Sequence, residues 1–153
     1  MTVSTGETIE RLASLVSLFN RGSLDLPDAL LDRNARFRLN GVSYEESLGR
    51  SPDDPLVRLI ARGPGAYRFL AKAVHYAIPD ARLTLGALTR CSRPSGFGLE
   101  GSATLTGAPR GSAEPFAADC DVALTFDVSG HLVDVTVKLD EGLLARLRAA
   151  RAR

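Results

Sequence analysis

Asp119, Asp121 and Asp127 fall on one side of an alternating run, FAADCDVALTFD, whose other side carries Phe116, Cys120, Val122, Leu124 and Phe126. Alternate residues of a strand share a face. Arg82, Arg90 and Lys138 are expected on the same face of the sheet, so the acidic row reads as cross-strand ion pairs on a wet or dimer-forming surface. Of the two histidines, His75 shares a polar helix face with Arg68 and Lys72, and His131 sits at a hairpin tip. Both read as solvated, which leaves a Ser-His-Asp arrangement without its base and a histidine-based metal site without ligands. Cys91 and Cys120 have no CxxC or metal-ligand spacing. Both fall on the expected dry face of their strands, as buried free thiols of a reducing cytoplasm. The glycine-rich runs between positions 96 and 111 are loops rather than phosphate cradles, because no helix starts directly after them.

The elements that would position these groups are readable from periodicity. Phe116 to Asp140 reads as two strands around a turn at Ser129-Gly130, with Val133, Val135, Val137 and Leu139 continuing the dry face. Ser4 and Glu7 have the form of a capping box for a helix carrying Ile9, Leu12, Leu15, Val16 and Phe19. Asp25 and Pro27 suggest a short second helix through Ala29, Leu30 and Leu31. A strand, ARFRLN, follows over residues 35 to 40 with Phe37 and Leu39 inward. Ser43 to Glu46 and Ser51 to Asp54 carry helix start signals. A helix opening at Pro64-Gly65 buries Tyr67, Leu70, Ala71, Val74 and Ile78 and closes at Pro79-Asp80.

From Ala81 the period becomes two. Leu83, Leu85, Ala87 and Thr89 are the inward set, then Phe97, Leu99, Ala103 and Leu105 after a loop at residues 92 to 96. GAPRGSAEP makes a long hairpin loop. Asp140 caps a last helix from Glu141 to about Ala150, whose arginines suit its negative end. Helices first and antiparallel strands after them imply an α+β fold, with a curved sheet covered on one face by the N-terminal helices.

The chain has 153 residues, 44% hydrophobic and 24% charged, which suits one domain with a sizeable core. Its net charge of +1 supplies no field for nucleic acid or anionic lipid. No run reaches membrane-span length, and MTVSTGETIE lacks the basic start and apolar core of a secretory signal. The expected location is cytoplasmic.

The element order resembles the nuclear transport factor 2-like superfamily. Asn20 to Asp25 followed by Ala29-Leu30-Leu31 is similar to its N-x-G-D-x-D start and second helix. Gly65 to Leu70 running to Ile78-Pro79-Asp80 resembles the helix and "PD" turn of polyketide-cyclase-like (SnoaL-type) members, and Val135 to Leu147 resembles their last strand and terminal helix. The resemblance covers nearly the whole chain and implies a single cone-shaped, cystatin-like α+β roll. The connection at residues 42 to 63 is longer than usual and could lid the pocket or rearrange it.

Within that resemblance, the ketosteroid isomerase acid/base set is missing: its base position falls on Leu39, its Tyr position on Leu15 and its second acid on Val122. What the resemblance implies instead is an apolar pocket lined by Leu15, Phe19, Leu39, Asn40, Tyr67, Val122, Leu124 and Val135. Tyr44 and Tyr67 are its best polar groups, since tyrosine offers an apolar body and an O–H that needs a partner. Asp140 lies towards the chain end where polyketide cyclases of this kind place a catalytic Asp, so Tyr44 and Asp140 are the candidate catalytic residues. The implied function is binding of a hydrophobic small molecule, with a cofactor-free and metal-free isomerisation, cyclisation or dehydration if it is an enzyme. The alternative is a non-catalytic dimerisation or protein-binding module. Either way the resemblance implies a homodimer through the outer sheet face, with no nucleic acid or membrane partner.

Overall fold

The alternation along FAADCDVALTFD becomes an unbroken strand. The computed structural model describes residues 5–27, 30–44 and 61–140, together with Gly142 and Ala145. In chain order these form α1 (Thr5–Asn20), β1 (Leu31–Leu39), β2 (Val42–Ser43), α2 (Gly63–Ala77), β3 (Arg82–Arg93), β4 (Gly96–Gly107), β5 (Phe116–Asp127) and β6 (Leu132–Lys138). The start signals at Glu45, Glu46 and Ser51 to Asp54, most of the long connection at residues 42 to 63, Ser4, Ala29 and most of the final helix lie outside the described residues.

The strands make one six-stranded sheet in the order β2-β1-β6-β5-β4-β3. β5 pairs antiparallel with β4 along its whole length, from Phe116 opposite Gly107 to Asp127 opposite Gly96. β1 joins β6 in parallel, so the sheet is mixed at that side. Ala118, Cys120, Val122, Leu124 and Phe126 share the inner face with Leu105, Ala103, Leu99 and Phe97 opposite them. That face is covered by the helices, α1 lying over β3 and α2 over β1. The apolar stripe of α1 runs through Thr8, Leu12 and Phe19, which are buried; Ile9, expected in the stripe, is 40% exposed.

Irregular pairing bends the sheet, because an extra residue on one strand kinks it and raises its twist. Between Leu85 and Leu88 the β3–β4 register shifts at Gly86-Ala87. Beyond the shift the faces of β3 exchange. Leu88 and Arg90 point inward in place of the expected Ala87 and Thr89, both of which are exposed. Cys91 moves to the outer face. Arg90 lies over the Phe97 ring at 4.5 Å rather than joining the acidic row. Gly101 makes room for the bulge: a Cβ there would run into the Ala87 carbonyl oxygen. A second shift, between Thr125 and Phe126, makes Leu132 rather than Val133 the partner of Phe126. Leu31 lies in β1 rather than in a helix, paired with Leu132, while the Leu30 carbonyl accepts the Leu132 N–H at 2.7 Å. The expected loop at 92 to 96 is tighter, since Arg93 already pairs with Gly96.

Two asparagines tie element ends to backbone. The Asn20 amide donates to the Leu83 carbonyl at 2.9 Å and accepts from the Leu83 N–H at 2.7 Å, fixing the end of α1 on β3. Asn40 does the same for Leu139, at 3.0 and 2.7 Å, from a left-handed backbone with φ 52. Asn20→Ala strands both polar groups of Leu83 beneath the helix. Unfolding in urea should show a loss of about 1–3 kcal/mol, and the Leu83 amide should lose its protection from hydrogen exchange.

Candidate functional site

Between the helices and the inner sheet face the side chains sort into two apolar clusters. The first contains Leu12, Leu30, Leu99, Leu124, Phe126 and Leu132, with Leu15 and Val135 packed against it. The second contains Phe19, Ala71, Ile78 and Leu105, with Tyr67, Val74 and Phe116 packed against it. Leu39 and Val122 both pair with Val137 and so join the inner face in one row. Five of the expected lining residues therefore belong to the two clusters, Leu15, Leu124 and Val135 to the first and Phe19 and Tyr67 to the second, while Val122 lies on the inner sheet face. Leu39 lies further along the same row. Asn40 stands at the end of β1 with both halves of its amide committed to Leu139. Tyr44 follows β2 at the sheet edge and is half-buried, and Asp140 is exposed just beyond β6.

Tyr67 is the polar exception in this interior. The amphipathic spacing of α2 carries it inward with Ala71 and Val74. Its hydroxyl is buried and finds no hydrogen-bond partner among the described residues. A buried hydroxyl without a partner is unfavourable by a kilocalorie or more. Burial pushes its pKa above the ordinary 10.0, because the phenolate would be desolvated. It is therefore a neutral donor at physiological pH, able to hydrogen-bond a ligand oxygen or developing oxyanion but not to act as a base.

Tyr67→Phe should make the ligand-free protein more stable by about 1 kcal/mol, read from denaturant melts. The folded state holds this proton more tightly than the unfolded state. Stability tied to Tyr67 is thus complete below pH 10.0 and is lost as pH rises above it. The Phe variant should lack that part of the alkaline decline.

His75 does not lie on a solvated face as its neighbours suggest. Its ring packs on Phe19 with centroids 4.4 Å apart, and Nε2 is 2.9 Å from the Phe19 carbonyl oxygen. A carbonyl can only accept, so Nε2 carries the hydrogen. The contact joins α2 to the end of α1 and holds Phe19 in the second cluster. Nothing in the local sequence signals it.

On the outer face, Cys91 donates to Glu100 at 2.9 Å, while the Arg93 guanidinium reaches Cys91 at 3.0 Å, Glu100 at 3.2 Å and Thr125 at 3.3 Å. The hydrogen bond to Glu100 holds the thiol pKa up, and the same bond with that from Arg93 holds Glu100 down. The thiol stays protonated, which argues against a nucleophile. Elsewhere on this face Asp119 accepts from Thr104 at 2.7 Å, Arg38 meets Asp134 at 3.6 Å, and Asp121 stands opposite Lys138. Asp127 instead receives the Ser129 and His131 N–H groups in the hairpin turn. Among the described residues no group of three or more His, Cys, Asp or Glu could hold a metal, and no helix is long and apolar enough to cross a membrane.

An open cleft of about 480 Å³ lies where β3, β4 and β5 meet the end of α2. Asp80, Arg82, Thr106, Gly107, Pro115 and Phe116 line it.

No family model matches the chain, and no curated protein matches it in sequence. Solved structures do match in fold. The BvnE pinacolase from Penicillium brevicompactum superposes with a TM-score of 0.63 at 16% identity, covering 99% of this chain and 97% of its own. An NTF2-like protein from an Exiguobacterium species gives 0.60 at 15% identity, with 88% and 98% covered. A SnoaL-like polyketide cyclase from Agrobacterium tumefaciens gives 0.56 at 16%, with 91% and 95% covered. Structures similar to this one also include the epoxide hydrolase/cyclase-like enzyme SalBIII and a protein of ketosteroid isomerase-like fold.

Proposed function

We propose that this chain, which has the NTF2-like α+β cone fold, binds a small hydrophobic molecule carrying an oxygen acceptor, held between α1, α2 and the inner sheet face with Tyr67 as its polar anchor. The observation that carries this reading is the buried Tyr67 hydroxyl, left without a partner in otherwise apolar surroundings. Its neighbours in fold include enzymes named as a cyclase, a pinacolase and an epoxide hydrolase/cyclase-like protein, which supports a cyclisation or rearrangement as the class of reaction. The chemistry available to Tyr67 is electrophilic. A neutral phenol away from water donates to a carbonyl or ether oxygen and stabilises charge that develops there. Leu15, Leu39 and Val122 offer no base from the positions where an isomerase carries its acid, base and tyrosine. Any proton transfer would fall to Tyr44 and Asp140.

Calorimetric titration with steroid-like and polyketide-like ketones tests the binding. Tyr67→Phe should weaken a ketone that binds by about tenfold, the worth of one buried hydrogen bond, with little effect on the matching hydrocarbon. Equal losses for both, or no binding of either, would sink the reading. The missing isomerase set also favours a second reading, binding without turnover. Unchanged turnover in Tyr44→Phe and Asp140→Asn, once an activity is found, would support it.

A further inference from the structure

We propose that the outer sides of the two helices form an interface with a second copy of this chain, α1 of one protomer seated on α2 of its partner and α2 on α1 in return. Among the described residues five large hydrophobic side chains stand well exposed, and three of them lie on the helices: Ile9 on α1 at 40%, and Phe69 and Tyr76 on α2 at 50% and 45%. Phe69 and Tyr76 are two helical turns apart, so they share one side of α2. Arg68 and Lys72 are exposed beside them. α2 contains no acidic residue, and among the described residues neither the Arg68 nor the Lys72 side chain has a hydrogen bond or an ion pair. The Arg110 guanidinium lies 3.9 Å from the Tyr76 ring centroid and adds charge of the same sign. Exposed apolar patches rimmed by charge mark contact surfaces.

The complementary surface lies on the same molecule. Both helices cover the inner sheet face, so their outer sides look the same way, and they touch where His75 packs on Phe19. The exposed side of α1 carries Ile9 and Glu10, with the short side chain of Ala13 next to them. The Glu10 carboxylate has no partner among the described residues. A two-fold axis running between the helices and along them sets α1 of one copy over α2 of the other, twice, as an isologous contact requires. Glu10 then faces the partner's Lys72 and the partner's Arg68, and Ile9 and Ala13 face the rings of the partner's Phe69 and the partner's Tyr76. A two-fold axis that set α2 on α2 would bring Lys72 and Arg68 against their own copies, and juxtaposed like charges disfavour it. Charge thus selects which helices meet, while the aromatic rings supply the apolar area that is covered. An anionic lipid surface fits this layer less well, because it would meet Glu10 together with Lys72. The contact uses neither the outer sheet face nor the interior around Tyr67.

Sedimentation equilibrium of the protein reads the mass of the assembly and its dissociation constant. Lys72→Glu and Glu10→Lys should each raise that constant by at least about tenfold, since each sets like charges against one another in both halves of the contact. Mixing the two variants should restore the assembly, because each then meets an opposite charge in both halves. The chain carrying both substitutions should assemble as well. A folding defect in either variant would not be cured by mixing, so the restored mass can come only from α1 seated on α2 of another copy. A mass that is the same in every sample, whether of one chain or of two, overturns the proposal. So does a mass that falls in both single variants and stays low when they are mixed. Binding of the unaltered protein to vesicles of phosphatidylserine and phosphatidylcholine that is lost in Lys72→Glu, with no change of mass between the two, assigns the face to lipid and overturns it too.

Discussion

Gly63→Ala is expected to be among the most damaging single-methyl changes in the chain. Gly63 opens α2 with φ 61, a left-handed backbone that disfavours any residue with a Cβ. A Cβ added there would also press on the β1 backbone, 2.7 Å from the Arg33 carbonyl carbon and 3.0 Å from its Cα. The neighbour is backbone and cannot rotate away. The conformational cost is about 1–2 kcal/mol and the overpacking cost about 1–3 kcal/mol. Thermal unfolding should therefore show a melting temperature lower by about 10 °C for a chain of this length. Gly22→Ala is the control, since φ is 76 there and nothing lies within 4 Å of the added Cβ. It should show the conformational part alone, and equal losses for the two variants would mean that the Arg33 contact yields.

Phe126→Ala should match or exceed that effect for the opposite reason. Phe126 is wholly buried and stacks on Phe97 with centroids 5.0 Å apart and rings 10° from parallel. Phe97 in turn carries Arg90 over its ring. Truncation removes the partner of both Phe97 and Leu132 in a cluster that α1 seals with Leu12. Loss of about 3–5 kcal/mol follows from the transfer and cavity terms, measured by urea unfolding. Phe126→Leu keeps most of the volume and should lose less than about 2 kcal/mol. If the two variants melt alike, the buried volume contributes little and loss of the ring stack on Phe97 explains the effect.

The parity of β5 was readable because the strand has no bulge: each residue from Phe116 to Asp127 lies on the side that simple alternation gives it. Val122, Leu124 and Phe126 are inside as expected, and the α+β cone follows from that face needing a cover. In β3 the same rule fails after Leu85. Gly86 is the visible signal of a break, since glycine within a strand marks a bulge or a close approach. The direction of the break depends on Gly101, fifteen positions away on β4, where a Cβ would run into the Ala87 carbonyl. Cys91 and Arg90 inherit that exchange and no local pattern could place them. The candidate site divides in the same way. Periodicity brings Tyr67 inward, whereas the missing partner of its hydroxyl is a property of the assembled interior. His75 carries the pattern of a surface residue, and its contact with the Phe19 carbonyl exists only once the two helices have docked.

The Asn20 clamp has a consequence beyond joining a helix to a strand. β3 is the last strand on its side of the sheet, and a strand in that position offers unpaired N–H and C=O groups to any extended chain that drifts past. At Leu83 both groups are already occupied by a side-chain amide that imitates a neighbouring strand for one residue. A few residues on, the bulge at Gly86-Ala87 breaks the rest of the ladder out of line. The free border of the sheet is thereby interrupted at Leu83 and again at Gly86-Ala87, and an occupied edge group and a bulge are two of the devices that blunt an edge strand against pairing with another chain.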